Sequence, residues 1–451
     1  MDAAMHQTAT QIVKTLQDAG YKAYFAGGCV RDMLLKKEPK DYDIATSALP
    51  DEIEKSFKET YAVGKSFGVI HVVENGHTFE IATFRSDSGY SDGRRPDAVL
   101  FTHAEEDAKR RDFTINGLFY DPVTKEVHDF VGGQDDLSNR LIRFIGDPHQ
   151  RILEDHLRII RAIRFKNTLN FGYHPDTYAA LRKHAQLADK VSWERVRDEL
   201  NKIILAKSAP VAFEDMQDTE VLPYILPELE ACKGLAQPMQ FHQEGDVWTH
   251  LMHALDSLPE DAGLLAHWAV IFHDIGKPET FKIAERIRTD GHAEVSAEIA
   301  ERIMRRLRFS RHDIEHVSWV VKHHFMMQQL LDMPIGRQRH WFLDPRFPDL
   351  LLLFYADAAG TTPGDLSLYH KVKAAYAECL SHFKEKPKPF LTGEEIMATL
   401  GLKAGPRVGE ILSELMEKQL EHEISSKIEA LEWLKKGESG QHKAPGLKYD
   451  T

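Results

Sequence analysis

Two carboxylates, Asp41 and Asp43, stand two residues apart in the run DYDIAT. In an extended strand, side chains alternate between faces, so both project to one side while Tyr42 and Ile44 point toward a core. Two acidic groups on one face can share Mg²⁺, an ion that suits carboxylates and phosphate oxygens. The pair therefore predicts metal-dependent nucleotidyl transfer. A lone D-x-D on a strand edge is also common without any catalytic role.

The elements around this pair favour the catalytic interpretation. YKAYFAGGCVRD at residues 21–32 predicts a strand, a glycine turn and the start of a helix. Backbone N–H groups at such a turn, here at Gly27 and Gly28, can hold a triphosphate. Arg31 adds positive charge at the same place.

Three further motifs follow along the chain: RRDFTING at 110–117, EDHLRIIRAIRF at 154–165 and WERVRDEL at 193–200. In this order and spacing, the four motifs resemble those of the bacterial class II tRNA nucleotidyltransferases, the CCA-adding enzymes and their poly(A) polymerase relatives. The resemblance covers most of the chain. It implies that Asp41 and Asp43 bind Mg²⁺ and activate the terminal ribose hydroxyl of tRNA for attack on the α-phosphate of CTP or ATP. Glu80, on the next expected strand, is a candidate supporting carboxylate.

RRDFTING supplies further expected nucleotide-binding residues: Arg110, Arg111, Asp112 and Asn116. Arginines and an aspartate near the two carboxylates suit contacts to sugar and phosphate. A solvated helix face is the alternative role for the two arginines.

The segment after the head bears on nucleotide choice. Asp155, Arg158 and Arg161 recur every three residues, which predicts one shared helix face. An arginine fork donates hydrogen bonds and an ionised aspartate only accepts them. Cytosine and adenine match that pair, whereas guanine and uracil would leave buried polar groups unpaired. The family uses this motif to select CTP and ATP, and we assign that role to Asp155 and Arg158, with Arg161 in support. An ordinary salt-bridged helix uses the same spacing.

A second constellation resembles an HD-domain phosphohydrolase. Its expected metal ligands are His250, the adjacent pair His273 and Asp274 in an apolar run, and Asp357. Imidazole and carboxylate together favour a divalent metal, which can activate water against a phosphoester. In related enzymes such an insert is associated with hydrolysis at RNA ends. A purely structural helical domain would preserve the same residues.

Other residues extend this constellation. Lys277 is expected to contact a phosphate, and His292 and His323 to support a second ion or the substrate. Single histidines are weak signals, because the chain holds 24 of them.

Between the head motifs lies SDSGYSDGRRPDAVLF at 86–101, whose composition predicts a mobile loop. It resembles a flexible loop of the CCA-adding and A-adding enzymes, with Arg94, Arg95 and Asp97 in its charged part. Leu100 stands where many relatives carry an acidic residue, and Gly117 where alanine is usual. These departures leave the addition specificity open.

Composition bounds the remaining expectations. The 451 residues suffice for about three domains, and the 42% apolar content supports large cores. Three scattered cysteines and the lack of a signal peptide or long apolar run predict a cytoplasmic protein without membrane contact. The net charge of −13 requires basic groups to be segregated if tRNA binds. A basic stripe for the acceptor end is expected from Arg140, Arg143, Arg151, Arg158, Arg161, Arg164 and Lys166.

The fold class we expect is α+β. A polymerase-β-like head with a mixed sheet occupies residues 1–146, and an all-α neck with the selecting motif occupies 147–205. A helical body with the HD-type domain spans 206–370, a helical tRNA-binding tail 371–437, and a disordered segment 438–451. Strands are expected near Tyr24, Ile44, Val69 and Ile81, and three short helices in the tail.

Three other functions stay open at this point. The first alternative is an A-adding or poly(A)-adding enzyme. The second is a phosphohydrolase whose head only binds RNA, and the third is a noncatalytic RNA-binding protein. YAVGKSFGVIHV at 61–72 favours the tRNA enzymes, and the intact aspartate pair counts against a noncatalytic protein. The sequence does not report the oligomeric state or the metal of the HD site.

Overall fold

A computed structural model describes residues 3–88, 98–237, 243–283, 287–288 and 291–438. Arg94, Arg95 and Asp97 of the expected loop, and residues 439–451 of the expected disordered tail, lie outside these ranges. The chain forms two compact units, Met1–Ile225 and Leu226–Thr451.

The first unit contains eleven strands among its described residues. They are β1 (Ala23–Ala26), β2 (Ile44–Thr46), β3 (Thr60–Tyr61), β4 (Val69–Glu74), β5 (His77–Thr83), β6 (Arg85–Ser88), β7 (Ala98–Phe101), β8 (Leu118–Asp121), β9 (Glu126–Asp129), β10 (Leu141–Ile142) and β11 (Gly172–Tyr173). Seven of them form one sheet in the order β3-β4-β5-β2-β1-β8-β9. The β2–β5 pair is parallel and its neighbours are antiparallel, so the sheet is mixed, as the sequence predicts.

Eleven helices accompany these strands in the described part of the unit. They are α1 (Ala3–Asp18), α2 (Gly28–Leu34), α3 (Pro50–Ser56), α4 (Ala104–Arg110), α5 (Gly133–Ser138), α6 (Pro148–Glu154), α7 (Arg158–Leu169), α8 (Pro175–Lys183), α9 (Trp193–Ile204), α10 (Ala209–Asp218) and α11 (Leu222–Ile225). Beyond α5 helices dominate, but the expected all-α neck is interrupted by β11, which pairs in parallel with β10.

The four expected strands are confirmed, and their alternating residues explain the sheet's core. Phe25, Ile44, Ile70 and Ile81 are each at most 1% exposed. Apolar side chains at every second position of a strand share one face, which is buried here under the helices of the head. Part of the opposite face is buried as well, because Ala26 and Ala45 lie in a second apolar cluster with Phe119.

The described part of the second unit is mainly helical, with two short strands that pair antiparallel. Its described elements are α12 (Pro227–Glu230), α13 (Val247–Asp256), α14 (Leu264–Phe272), α15 (Lys277–Thr280), β12 (Lys282–Ile283), β13 (Ile287–Arg288), α16 (His292–Arg306), α17 (Arg311–Lys322), α18 (Ile335–Phe342), α19 (Phe347–Gly360), α20 (Ser367–His382), α21 (Gly393–Leu400), α22 (Pro406–Leu420) and α23 (Lys427–Glu438). A helix as long and apolar as a bilayer crossing requires does not occur among the described residues.

The three short helices expected in the tail are confirmed as α21, α22 and α23. A capping box begins α21, where Thr392 accepts from the Glu395 N–H and Glu395 accepts from the Thr392 N–H. Gly401 ends that helix in the left-handed region, at φ 65°. Ile396 and Leu415 lie in the core that joins the three helices.

Candidate active site and metal centre

Three carboxylates of the head are aligned by strand register. β2 and β5 pair in parallel with Ile44 opposite Ile81, so Asp43 and Glu80 directly precede a paired position. Both side chains are exposed, as is Asp41, whereas Tyr42 and Ile44 are buried. The alternation expected at Asp41–Ile44 is therefore confirmed, although β2 itself begins only at Ile44.

The electrostatics of Asp43 reflect this alignment. Surrounding protein atoms remove part of the hydration of its carboxylate, and Asp41 and Glu80 add negative charge nearby. These effects raise the pKa of Asp43 to about 6, against an opposing effect of Arg111. Carboxylate oxygens are the ligands that a hard divalent cation such as Mg²⁺ prefers.

The glycine turn lies against an arginine of the RRD motif. Gly27 has φ 75°, and a Cβ placed there would stand 2.8 Å from Nη1 of Arg111. The Gly27 N–H donates to the carbonyl of Leu118, the first residue of β8, at 3.1 Å. This N–H is therefore used in a backbone bond to the sheet. Gly28 begins α2. The turn thus brings the Arg111 guanidinium close to the backbone. Cys29 beside it is buried and its thiol pKa is raised to about 12, chiefly by burial, so it is a packing residue.

A buried chain of polar side chains links α2 to α7. Arg31 Nη1 donates to Asn116 Oδ1 at 2.8 Å, and Asn116 Nδ2 donates to Asp112 Oδ1 at 3.1 Å. Asp112 also accepts two hydrogen bonds from Arg161, at 2.9 and 2.7 Å. Burial alone would raise the pKa of Asp112, but Arg161 and the hydrogen bonds outweigh it and lower the pKa to about 2. Asp112 is therefore ionised at neutral pH.

Sequence reasoning missed three residues of this region. Phe165 lies under the guanidinium carbons of Arg31 and Arg164, at 5.1 and 3.9 Å from its ring centre. Glu199, within WERVRDEL, is buried and bonds Arg164 at 2.5 Å. Asp107 is buried beneath the RRD motif. The sequence signal for Glu199 was its spacing, because it falls in line with the apolar positions on the buried face of α9.

Gly117 has a packing reason for departing from the usual alanine. A Cβ at this position would stand 2.7 Å from Val131 Cγ2 and 3.1 Å from Ile145 Cδ1. In this chain those two side chains occupy the space that alanine needs.

The expectation of one helix face for the selecting residues is wrong. Asp155 ends α6 with extended angles (φ −146°, ψ 105°), and α7 begins only at Arg158. Asp155 Oδ1 accepts from the Leu157 N–H at 3.1 Å, a local bond that competes with helix continuation. Arg158 and Arg161 remain on α7, whereas Asp155 belongs to the break before it.

Each selecting residue already has a partner. Asp155 accepts two hydrogen bonds from Arg195, at 3.1 and 2.7 Å. Arg158 is buried and donates to Glu154 at 2.6 Å and to the carbonyl of Arg151 at 2.8 Å. A base recognised by Asp155 and Arg158 must therefore share or replace these contacts.

The expected basic stripe is mostly charge-paired. Six of its seven residues have an acidic partner within 4 Å. These are Arg143 with Asp136, Arg151 and Arg158 with Glu154, Arg161 with Asp112, Arg164 with Glu199, and Lys166 with Asp215. The region is therefore not an uncompensated positive surface.

In the second unit, four expected ligands meet at one point. The Nε2 atoms of His250 and His273 are 3.2 Å apart. Asp357 Oδ1 lies 3.1 and 3.7 Å from them, and Asp274 Oδ2 lies 3.6 and 3.4 Å from them. The ligands come from α13, the end of α14 and α19.

The imidazole contacts indicate that this cluster fits a cation. His250 Nδ1 lies 3.1 Å from Glu244 Oε1, and His273 Nδ1 lies 2.7 Å from the carbonyl of Val270. Both partners are acceptors, which puts hydrogen on each Nδ1 and leaves the neutral Nε2 lone pairs aimed at one spot. Burial lowers the pKa of His273, but Asp274 and Asp357 outweigh it and raise that pKa to about 10. A divalent ion satisfies the same demand for positive charge.

A second group shares one carboxylate with the first. Asp274 Oδ1 lies 3.0 Å from His292 Nε2, and these two residues form a possible ligand set with His324. Lys277 Nζ bonds Asp274 Oδ2 at 2.6 Å and Gln237 Oε1 at 2.7 Å. Lys277 is thus held at the cluster by the carboxylate of Asp274.

The expected role of His323 at this second group is wrong. His323 Nδ1 bonds the carbonyl of Trp319, and its ring packs against Trp319 and Trp341, which also contact each other. His324 instead points into the cluster, with its ring 5.5 Å from those of His273 and His292. Because α17 ends at Lys322, the turn that follows sets which of the two adjacent histidines faces inward.

The first unit joins a mixed-sheet head with exposed carboxylates to helices that carry paired arginines, and the second unit carries a cluster of candidate metal ligands. Family comparisons agree. The families described as "Poly A polymerase head domain", "Probable RNA and SrmB- binding site of polymerase A" and "HD domain" match residues 23–143, 170–233 and 246–359. The chain is thus similar, mainly in its first unit, to the head and RNA-binding region of polymerase A, and in its second unit to HD domains.

Curated relatives include the CCA-adding enzymes of Lactobacillus helveticus and Levilactobacillus brevis. They are 40% identical over 259 residues and 45% identical over 222 residues. These matches cover 56% and 48% of this chain, and only 64% and 55% of the relatives' own lengths.

Solved structures extend the likeness to almost the whole chain. The CCA-adding enzyme of Bacillus stearothermophilus, crystallised with CTP, is 26% identical with a TM-score of 0.72, covering 97% of this chain and 98% of that one. The Thermotoga maritima CCA-adding enzyme, solved with tRNA, has a TM-score of 0.56 over 97% of this chain and 96% of that one. At 20% identity it supports the fold alone.

Proposed function

We propose that this protein adds CMP and AMP, from CTP and ATP, to the 3′ end of tRNA without a nucleic-acid template. The observation that carries this proposal is the register of β2 and β5, which aligns Asp43 with Glu80, together with the alternating exposure that gives Asp41 the same side as Asp43. Among CCA-adding enzymes, the Bacillus stearothermophilus structure was solved with CTP, which agrees with a nucleoside triphosphate substrate.

Asp41 and Asp43 hold Mg²⁺ in this proposal, and Glu80 supports them. When bound, Mg²⁺ supplies a lower pKa for the attacking hydroxyl and stabilises the negative charge of the leaving pyrophosphate. The terminal ribose oxygen of tRNA forms a bond to the α-phosphorus while the bond from that phosphorus to the pyrophosphate breaks. Arg111, beside the glycine turn, is placed to bind the phosphates.

Nucleotide selection falls to Asp155 and Arg158, which flank the break between α6 and α7. Arg195 orients the carboxylate of Asp155, and Glu154 orients the guanidinium of Arg158. An incoming cytosine or adenine accepts from Arg158 at its ring nitrogen and donates its amino group to Asp155. Arg161 acts indirectly, by fixing Asp112.

Nucleotide incorporation tests this function. Each radiolabelled NTP is offered, singly and combined, to tRNAs that end in the discriminator base, in C or in CC, with Mg²⁺ present. Ordered use of CTP and then ATP establishes CCA addition. ATP use restricted to tRNA ending in CC makes the protein an A-adding enzyme, and unlimited AMP addition makes it a poly(A) polymerase.

The aspartate pair provides the matched control. Asp41→Ala with Asp43→Ala is expected to abolish incorporation, because the metal loses its two shared ligands. Asp51→Ala removes a carboxylate of the same unit that pairs only at the surface, with Lys65, and activity is expected to persist. Incorporation that survives the double substitution would refute the two-carboxylate mechanism.

A second activity is favoured by the facing imidazole nitrogens of His250 and His273. We propose that the HD domain hydrolyses phosphoesters at RNA ends, repairing them before nucleotide addition. His250, His273, Asp274 and Asp357 hold a divalent metal, which supplies an activated water at neutral pH. The water oxygen bonds to phosphorus, the ribose–phosphate ester bond breaks, and the released ribose oxygen takes a proton.

Hydrolysis assays with different divalent metals test this second activity. The full chain is assayed with Mg²⁺, Mn²⁺, Co²⁺ and Ni²⁺ on RNA that ends in a 2′,3′-cyclic phosphate or a 2′-phosphate. His273→Ala is expected to abolish hydrolysis and to leave nucleotide incorporation unchanged, whereas the Asp41 and Asp43 double variant gives the opposite pattern. Absence of hydrolysis with all four metals would refute the activity.

We also propose a cytoplasmic location. It is supported by the tRNA substrate and by three free, buried cysteines, Cys29, Cys232 and Cys379, which suit a reducing compartment.

A further inference from the structure

One large aromatic side chain at the HD cluster is exposed. Phe325 has 45% of its surface open to solvent, whereas its neighbour His324 is only 4% exposed and lies within the cluster. Both belong to the 3₁₀ helix His324–Gln328. With three residues per turn, adjacent side chains of a 3₁₀ helix point in different directions. The turn therefore sends His324 inward and Phe325 to the rim.

The ring of Phe325 contacts the candidate metal ligands directly. Its centre lies 4.8 Å from that of His292, at an interplanar angle of 82°, and 4.4 Å from that of His324. Edge-to-face packing of this kind fixes an aromatic ring without covering both of its faces. Isolated exposed apolar side chains are ordinary on a protein surface, so the position of Phe325 against the cluster matters more than its exposure.

The cluster is open to solvent at one ligand. Asp357 has 31% of its side chain exposed, whereas His250, His273 and Asp274 are at most 4% exposed. Asp357 lies on α19, and the 3₁₀ helix that carries Phe325 packs against α19. The exposed ring and the accessible metal ligand therefore stand on adjoining elements.

We propose that Phe325 stacks on the base of the nucleotide whose phosphoester the HD site hydrolyses. This inference rests on the hydrolase activity proposed above and adds the side chain that recognises the base of its nucleotide substrate. Every base has a π-face, so stacking on one ring tolerates any sequence, as repair of varied RNA ends requires. A sugar phosphate without a base gains nothing from Phe325.

A pair of phosphate esters tests the inference. Adenosine 2′-phosphate and glycerol 2-phosphate both release a secondary alcohol, but only the first carries a base. In the full chain, Phe325→Ala and Phe325→Leu are expected to raise KM for adenosine 2′-phosphate roughly 10-fold and to leave glycerol 2-phosphate hydrolysis within about 2-fold. Phe325→Tyr keeps the ring and is expected to behave as wild type. Ile335→Ala, an exposed apolar position on another helix, is the matched control.

Two results would overturn the stacking role. Equal losses on both esters would mean that Phe325 supports the cluster structurally, and no loss on either would mean that the ring does not touch the substrate. Metal content, measured by elemental analysis, checks that each variant still binds its ion.

Binding measurements distinguish a failure of the stacking role from a failure of the proposed hydrolase activity. If the wild type hydrolyses neither ester, the proposed activity fails. Calorimetric titration with adenosine 2′-phosphate and with inorganic phosphate then decides, using chains with Asp41→Ala and Asp43→Ala so that the head contributes little. If Phe325→Ala loses binding of adenosine 2′-phosphate but keeps binding of inorganic phosphate, stacking is supported. If adenosine 2′-phosphate binds equally well, or undetectably, with and without Phe325→Ala, stacking is refuted.

Discussion

Asp107 accepts two hydrogen bonds from Arg111, at 3.2 Å from Nε and 3.1 Å from Nη2. The same buried carboxylate accepts from Arg110 at 2.8 Å and from the Arg85 N–H at 3.2 Å. Arg111 in turn reaches the glycine turn at Gly27. The position of the guanidinium at the proposed phosphate site is thus set by an acidic residue outside all four motifs.

Asp107→Asn is expected to weaken nucleotide binding more than catalysis. The amide keeps the shape of the carboxylate but loses charge-assisted bonds worth about 1.5–3 kcal/mol each. We expect KM for CTP to rise roughly 10-fold or more with a smaller change in kcat. Steady-state kinetics at saturating tRNA measures both. Glu106→Gln, a neighbour on the same helix that pairs only with Lys109 at the surface, is the control. A fall in kcat alone would argue against a positioning role.

Gly27→Ala is expected to impair activity beyond its effect on stability. The new Cβ would stand 2.8 Å from Arg111 Nη1 and displace it. Displacement of a positioned group by about 1 Å can cost on the order of 100-fold in rate. Gly20→Ala introduces the same kind of positive-φ strain with nothing within 4 Å, so it isolates the backbone cost. Similar melting temperatures with unequal kcat/KM are the expected result, and equal activities would contradict it.

Arg158→Ala is expected to broaden nucleotide use toward UTP and GTP. Glu154 keeps its bond to Arg151, so the fold around the break is expected to survive. Selectivity for CTP over UTP should fall roughly 100-fold or more, because unpaired polar groups no longer penalise the wrong base. Single-nucleotide incorporation into tRNA ending in C measures this ratio. Arg182→Ala, an exposed arginine of α8, is the control, and an unchanged ratio in Arg158→Ala would refute the selecting role.

Two adjacent histidines test the second metal group. His324→Ala is expected to lose bound metal and the metal-dependent rise in melting temperature, since a ligand that binds the folded state stabilises it by mass action. His323→Ala is expected to keep both, because its ring packs against Trp319 and Trp341 and is not part of the candidate ligand groups. Elemental analysis and thermal unfolding with and without a chelator provide the readouts. Equal metal contents would contradict the assignment.

The sequence predicts most of the head because strand signals and motif signals coincide there. Alternation places Asp41 and Asp43 on one face, and the structure agrees. The selecting segment differs, because the three-residue spacing of Asp155 and Arg158 does not reveal that α6 stops at Glu154 and that α7 begins only at Arg158. A short polar side chain that bonds its own backbone competes with the helix, and spacing alone does not report the outcome.

The histidine pair shows a second limit. Each residue past a helix end rotates the side chain by a third of a turn or so, and helix ends are uncertain by one or two residues from sequence. His323 and His324 are therefore indistinguishable until the end of α17 at Lys322 is known. Asp107 was missed for a different reason, since its role depends on burial beneath two arginines.

The positions of β2 and β5 in the sheet also bear on which part of the head unfolds last. β2 and β5 are interior strands, and interior ladders open only with the most global fluctuations. A slip of one residue would turn Glu80 to the opposite face from Asp43. The proposed metal-binding carboxylates are thus next to an interior ladder of the sheet, whereas the proposed base-selecting residues Asp155 and Arg158 lie at helix ends. In the proposed mechanism, the selecting residues can therefore shift between two bases while the carboxylates keep their positions.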